Sequence, residues 1–535
     1  MLDDGMPAAK ADFSESDGEL RPALVRGLLH ARAYPHDAGE IRVVETHISW
    51  VFLTGRYAYK VKKPVKLHFL DYSTLAKREH ACEAELALNR RLAPDLYVDV
   101  VPITGTPDHP QIGGSGHAIE YAVRMHEFRQ SRQADRLMAH GRLEGEALEH
   151  FARRLAAFHE TAPRTSARSA LGGASWVRAP LAETLEDLAT GVTNAAAGIV
   201  LAELRAWCDA QAAQLAPTFA ARKRDGFVRE GHGDLHLANL VLIEDQITAF
   251  DCIEFNDQLR WGDVIGEVAF LAMDLMHHRR PDLAYRFLNA YLEATGDYAG
   301  MAVYRYYLVY RALVRAKVEM IRRDGAAASE SRTHAVAMGR FIRLAHAAAR
   351  DAAPALLLMH GYSGSGKTHL SSALAPLLPA IRIRSDVERK RMHGFAPLAS
   401  TGSAISSGIY ASSASRRTYA QLARLAEPIL IGGEKVIVDA AFLRRAQRRR
   451  FEALARRLDV PFAILDCRAP LGEMRRRIVA RSAAAHDASE ANSRILQYQL
   501  AHHDALGVAE RKYTFAIDTT ASIDLRRLAV HRETS

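Results

Sequence analysis

Residues 355–378 read ALLLMHGYSGSGKTHLSSALAPLL, and their reading decides the fold of the C-terminal half. The run ALLLMH predicts a buried strand, and HLSSALAPLL carries apolar residues at helical spacing. Between them, Gly361 to Thr368 satisfies GxxxxGK[ST] in full, in the strand-to-helix context that gives the pattern meaning. Glycines there let successive backbone N–H groups turn inward around phosphate oxygens, and the helix start adds the positive end of its dipole. Gly361, Ser363, Gly364, Ser365, Gly366, Lys367 and Thr368 are therefore the candidate phosphate-binding residues. Lys367 would reach the β- and γ-phosphates of a nucleotide, and Thr368 would ligate Mg²⁺. Residues 352–535 are expected to form an α/β P-loop NTPase domain with a parallel sheet.

Further along, KVIVDAAF (435–442) predicts a second buried strand, ending in Asp439, the second acid expected to hold Mg²⁺. IRIRSDVERKRMHG (381–394) sets Asp386 just after a short strand, with Arg384 and Arg389 nearby. Residues 440–481 hold twelve arginines, no lysine and four acids. Arginine grips phosphate oxygens bidentately and keeps its charge. Arg475, Arg476, Arg477 and Arg481 precede SAAAHDASEAN, read as a mobile segment, while Arg444 to Arg450 read as a solvated basic helix face. With these residues the half resembles the small P-loop kinases related to zeta toxins, gluconate kinase and the kinase domain of polynucleotide kinase. The resemblance implies that Asp386 accepts the proton of the substrate hydroxyl and that Arg389 contacts substrate or phosphates. It also implies that Arg477 and Arg481 close over the transferring phosphoryl group as part of a lid. The other reading of Asp386 is an N-cap of the following helix.

Toward the N-terminus, HGDLHLAN (232–239) is followed by AFDCIEF (249–255). The pattern is HxDxxxxN and then an acid at a strand end, the arrangement of protein-kinase-like enzymes. Asp234 would accept the hydroxyl proton, and Asn239 and Asp251 would hold Mg²⁺. Such a site also needs a strand lysine paired with a helix glutamate. YAYK places Lys60 in that role, with Lys62 on the same strand face as runner-up. Glu79, Glu83 and Glu85 are the candidate partners, with Glu85 preferred. The HGDLHxxN form resembles the aminoglycoside phosphotransferase and choline kinase branch. By that resemblance Asp263, in WGDVIGEVAF, steadies the catalytic loop, and the nucleotide hangs from the strand end around Tyr121 to Met125. Glu254, Asp257 and Asp263 are the candidates for a carboxylate cluster that would receive an amine-bearing substrate. Two departures stand out: VVETHISWVF contains no glycine where GxGxxG would cover the phosphates, and Cys252-Ile253 replaces Phe-Gly. A kinase-like half that only binds nucleotide is the alternative they leave.

The expected architecture is an α+β protein-kinase-like, bilobal N-terminal domain followed by the P-loop domain. Its parts would be a disordered leader (1–23), a β-rich lobe (24–125), a helical lobe (126–350) and the P-loop part (352–535). The tandem looks like bacterial proteins described as bifunctional aminoglycoside phosphotransferase and ATP-binding protein. The 535 residues suit two to four domains at roughly 150 residues each. With 48% hydrophobic and 25% charged residues the chain is no disordered polymer. No apolar run reaches the roughly 18 residues of a membrane span, and the acidic N-terminus lacks the apolar core of a signal peptide. Cys82, Cys208, Cys252 and Cys467 lie far apart with no CxxC, which argues for reduced structural thiols and a cytoplasmic protein. The formal charge of +9 suits anionic partners. ATP is the simplest, since much of the excess sits beside the P-loop. A polynucleotide 5′-hydroxyl acceptor is less favoured, because no basic patch is interleaved with aromatic residues. The resulting expectation is an ATP- and Mg²⁺-dependent phosphotransferase with two sites acting on hydroxyl-bearing small molecules. No oligomeric state follows from the sequence.

Overall fold

The computed structural model describes residues 22–67, 70–166, 168–192, 194–397, 399, 412–484, 492–521 and 524–525. Most of the expected leader and residues 485–491 of the expected mobile segment lie outside them. Contacts group the chain into two compact units, residues 1–143 with 230–261, and residues 144–229 with 262–535. Grouped in this way, most of the expected helical lobe falls with the P-loop part.

The first unit is built on a six-stranded antiparallel sheet. Its order is Arg42–Glu45, Ser49–Leu53, Tyr57–Lys62, Glu120–His126, Tyr97–Thr106 and His109–Ile112. Period-two alternation along YAYKVK sends Tyr59 and Val61 into one apolar cluster with Phe52 and Ile103. Ala58 packs on the opposite side with Cys82, Tyr97 and Val123. Lys60 and Lys62 share the parity of Ala58, so the sheet carries two lysines toward the helix Leu75–Asn89. That helix starts at Thr74, whose side chain accepts from the Lys77 N–H. The same unit holds the hairpin Leu240–Ile243 and Gln246–Ala249. Its two-residue turn, Glu244 and Asp245, has φ of 45° and 64°, the type I′ geometry that matches strand twist.

The second unit combines a bundle of helices with a five-stranded, all-parallel sheet. The strand order is Ala380–Arg384, Lys435–Asp439, Leu356–His360, Phe462–Arg468 and Thr514–Asp518. Leu357, Met359, Ile437 and Leu465 form its core with Leu370 and Leu374 of the helix Lys367–Leu377. Such doubly covered parallel strands read as continuous apolar runs, which is why LLLM and VIV were legible. The edge strand Ala380–Arg384 is covered by the helix Pro281–Thr295 of the bundle. Asn289 accepts from the Arg382 N–H at 2.6 Å and donates to the Ala380 carbonyl at 2.9 Å, as a neighbouring strand would.

One expectation is corrected here. Arg448 is not part of a solvated face. It is 1% exposed, donates to both Glu510 oxygens at 2.7 and 3.0 Å, and also to the carbonyls of Phe442, Asp504 and Ala505. The amphipathic turn of Arg445–Leu458 carries position 448 inward with Phe451, and only a charge partner makes that tolerable. Arg448→Ala should therefore lower stability by about 3–5 kcal/mol, because it strands a buried carboxylate. The check is the urea midpoint beside that of the exposed control Arg456→Ala. Asp263, in turn, caps the helix Val264–His277 and pairs bidentately with Arg222 at 2.6 and 2.8 Å, while Asp297 shares the same guanidinium. Its partners hold the helical bundle together.

All four cysteines are buried and unbridged. Burial pushes the thiols of Cys82, Cys208 and Cys467 up to about 12, so they behave as apolar packing groups. Among the described residues no helix is long and apolar enough to cross a membrane.

Candidate active sites

In the first unit, Lys60 Nζ donates to Glu85 Oε1 at 2.8 Å and also to Asp251. Lys62 donates to the other Glu85 oxygen and to Glu254. The two lysines are thus not alternatives, since one fully buried glutamate takes both. Helix periodicity explains the choice among the glutamates. Glu85 sits on the buried stripe with Ala81 and Cys82, whereas Glu83 is exposed. Burial works against the charge on both lysines, but the carboxylates outweigh it. Asp251 and Glu85 hold Lys60 well above the ordinary lysine range, and Glu254 and Glu85 raise Lys62. Partial desolvation likewise opposes ionisation of Asp251, and Lys60 reverses that effect to leave its carboxyl below the usual range.

The loop that carries Asp234 is pinned to the segment that carries Asp251. Asn239 Nδ2 donates to Asp234 Oδ2 at 2.9 Å and to the Asp234 carbonyl at 3.0 Å. His232 Nε2 lies 2.8 Å from the Phe250 carbonyl, and the Ile253 N–H donates to the His232 carbonyl at 3.1 Å. Tyr97 OH accepts from the Asp251 N–H at 3.1 Å, and Asn89 Oδ1 accepts from the Cys252 N–H at 2.9 Å. Asp251 itself has φ of 63°, a region non-glycine residues visit at a cost and which clusters at functional sites. The Asp234 and Asp251 side chains stay 37% and 44% exposed, so both carboxylates reach solvent. This unit therefore places Lys60, Glu85, Asp234, Asn239 and Asp251 in one connected set.

In the second unit, a cavity of about 290 Å³ is lined by Ser363, Gly364, Gly366, Lys367, Thr368, Arg384, Asp386, Arg389, Asp439, Arg477 and Arg481, among others. Gly366 stands at the N-cap of the helix Lys367–Leu377 with φ of 87°. Gly364 has φ of 81°, and a Cβ there would sit 2.5 Å from the Met474 carbonyl oxygen. Neither position tolerates a side chain, which is the physical reason for the glycine spacing. Gly361 N–H donates to the Ala441 carbonyl at 3.2 Å and Ser363 N–H to Gln499 Oε1 at 2.8 Å. Ser365 Oγ is buried with no hydrogen-bond partner. Lys367 Nζ lies across the loop on the Tyr362 carbonyl at 2.7 Å, and burial lowers its pKa. Ser371 Oγ lies 2.9 Å from Asp439 Oδ2 and 3.1 Å from the Thr368 carbonyl, its single proton shared between the two. Ser371, one turn after Thr368, therefore bridges the two expected Mg²⁺ ligands; only contact geometry could have singled it out.

Asp386 is second in the helix Ser385–Met392, whose N-cap is Arg384, so the N-cap reading of Asp386 is overturned. Of the arginines of the helix Leu471–Ala484, Arg477 and Arg481 line the cavity. Arg477 bonds Thr519 Oγ1 and its carbonyl, each at 2.9 Å, and Glu473 at 2.6 Å. Arg476 points outward, 77% exposed on Glu473.

The expected carboxylate cluster for an amine substrate is also corrected. Glu254 is buried against Lys62 and Tyr72, and Asp263 against Arg222, while Asp257 is paired with Arg260. Burial opposes ionisation of Glu254, but Lys62 prevails and holds it below its usual range. A carboxylate already neutralised by a buried cation has little left for a ligand amine.

Residues 71–307 match the phosphotransferase enzyme family, and residues 356–506 match an AAA domain family. The chain is thus a kinase-type phosphotransferase in class, with a kinase-like domain of sheet and helices followed by a P-loop nucleotide-binding domain. It is 33% identical over 456 residues to the uncharacterized protein Rv2004c of Mycobacterium tuberculosis (strain ATCC 25618 / H37Rv), covering 84% of this chain and 88% of that one. The same figures hold for the uncharacterized protein Mb2027c of Mycobacterium bovis. The chain belongs to the family of these mycobacterial proteins. Similar solved structures include a choline/ethanolamine kinase family protein from Mesorhizobium loti, 13% identical with a TM-score of 0.38 over 59% of this chain and 94% of that one. A gluconokinase from Sinorhizobium meliloti 1021 is 20% identical, with a TM-score of 0.24 over 34% of this chain and 97% of that one.

Proposed function

We propose that the chain is an ATP-dependent phosphotransferase with two nucleotide sites, each transferring the γ-phosphate to a hydroxyl group of a small molecule. What supports the reading is that each site brings together a carboxylate that could act as base, a lysine and a pair of oxygen-bearing side chains. In the first these are Asp234, Lys60 and the pair Asn239 and Asp251. In the second they are Asp386, Lys367 and the pair Thr368 and Asp439. Hard oxygen donors of this kind suit Mg²⁺. Held there, Mg²⁺ supplies charge neutralisation for the triphosphate.

The residues of the chain do the rest. Asp234 takes the proton of the acceptor hydroxyl as its oxygen bonds the γ-phosphorus, the bond from that phosphorus to the bridging oxygen breaks, and ADP leaves. Asn239, bonded to Asp234, fixes the carboxylate for that proton. Lys60, oriented by Glu85, meets the phosphates. In the P-loop pocket Asp386 takes the corresponding proton, while Arg389, Arg477 and Arg481 offset charge on the phosphoryl oxygens.

The test is transfer of label from γ-labelled ATP by the full chain to sugars, amino alcohols, aminoglycosides and a 5′-hydroxyl oligonucleotide. Two acceptor classes, one lost in Asp234→Asn and the other in Lys367→Ala, is the expected outcome. A single activity untouched by Asp234→Asn would leave the kinase-like half a binding module, and label on the oligonucleotide would move the acceptor to nucleic acid.

A further inference from the structure

The cavity beside the P-loop is lined on its acceptor side by Arg384, Asp386 and Arg389. Arg384 belongs to the edge strand, and its guanidinium Nη1 lies 3.1 Å from Glu293 Oε1. Glu293 is not part of the P-loop sequence; it stands in the last turns of the helix Pro281–Thr295 of the helical bundle. Its second oxygen, Oε2, lies 3.4 Å from Arg382 Nη2. Its backbone carbonyl accepts from Arg391, whose other arm bonds Glu388. One residue of the bundle thus takes arginines from both arms of the turn that carries Asp386, two before it in the strand and one after it in the helix.

The charge balance is uneven. The Glu293 carboxylate faces two guanidiniums, those of Arg382 and Arg384, while its backbone carbonyl, at the partly negative end of the helix, takes Arg391. Arg384 is 16% exposed and Glu293 24%, so the pair is partly withdrawn from solvent, where a charge-assisted contact keeps part of its strength. An anionic group in the cavity would compete with Glu293 for Arg384.

We propose that Glu293 is a positioning residue of the P-loop site, supplied by the helical bundle. It holds Arg384 back from the acceptor side of the cavity and so sets how strongly that side binds an anionic acceptor. The inference rests on reading the cavity as a phosphotransfer site. It makes the helical bundle a component of the P-loop reaction.

Inorganic phosphate is the probe, with the full chain saturated by Mg²⁺ and AMPPNP so that only the acceptor side is open. Phosphate binding is read as the half-saturating concentration of its thermal shift at constant ionic strength. Glu293→Gln is expected to lower that concentration about threefold to tenfold, the range of modest coupling between sites. Glu293→Asp keeps the charge but withdraws the carboxylate from Arg384, and should act in the same direction. In an Arg384→Gln background both changes should have no effect, which simple loosening of the docked helix would not produce. Equal phosphate binding in wild type and both Glu293 variants overturns the proposal, and so does a shift that persists in Arg384→Gln. Absence of any AMPPNP-dependent shift in the wild type is a different failure, that of the nucleotide reading of the pocket.

Discussion

Asp234→Asn is expected to cut phosphoryl transfer by the kinase-like site by about 10²–10⁴-fold, the usual worth of a positioned general base. The substitution keeps the side chain's shape but removes the lone pair that accepts the hydroxyl proton. Asp234 Oδ2 now accepts from Asn239 at 2.9 Å, and an amide in its place can turn its own oxygen toward that donor, so the loop should hold. Nucleotide binding should change little, because Lys60, Glu85 and Asp251 are untouched. Turnover is measured in the Lys367→Ala background, so that the P-loop site contributes none. Unchanged turnover there would remove Asp234 from the reaction and with it the catalytic reading of the first unit.

Lys367→Ala should lower transfer at the P-loop site by about 10²–10³-fold, the loss typical of removing one preorganised charge stabiliser. It should also weaken nucleotide binding, since the ammonium is the cation of the loop itself. The wild type carries a pH signature of the same group. Burial lowers the pKa of Lys367, so the lysine is charged below that lowered value and neutral above it. Affinity for the anionic triphosphate should therefore be full at lower pH and fall as the pH rises through that value. In Lys367→Ala the same titration should be flat. Binding of a fluorescent ATP analogue, followed against pH in the wild type and in Lys367→Ala, checks both points, since the difference between the two curves isolates the P-loop site.

Much of both sites was legible because their chemistry is local in sequence. GYSGSGKT needs eight consecutive residues, and positive φ at Gly364 and Gly366 explains why glycine recurs there. HGDLHLAN works the same way, since Asn239 reaches Asp234 across five residues. Strand alternation put Lys60 and Lys62 on one face, and helical periodicity put Glu85 on a buried stripe. What alternation could not say is that one glutamate would serve both lysines, because that depends on how closely helix and sheet approach. Arg448 misled for a related reason. A run of arginines reads as solvated until a distant acid, here Glu510, is folded against one of them. The carboxylates proposed for an amine substrate failed similarly, since Glu254 and Asp263 meet cations far away in the chain.

By itself, then, the sequence determined the two kinds of domain, their order, and the motif residues proposed to face phosphate or accept a proton. Those follow from backbone geometry and side-chain chemistry over stretches of eight to about twenty residues. Only the tertiary structure decided which charges are already neutralised. It ties Lys62 to Glu254, Asp263 to Arg222, and Arg384 to Glu293. Partners of this sort are chosen by packing between segments distant in sequence, where desolvation makes an unpaired charge costly and a paired one unavailable to a ligand.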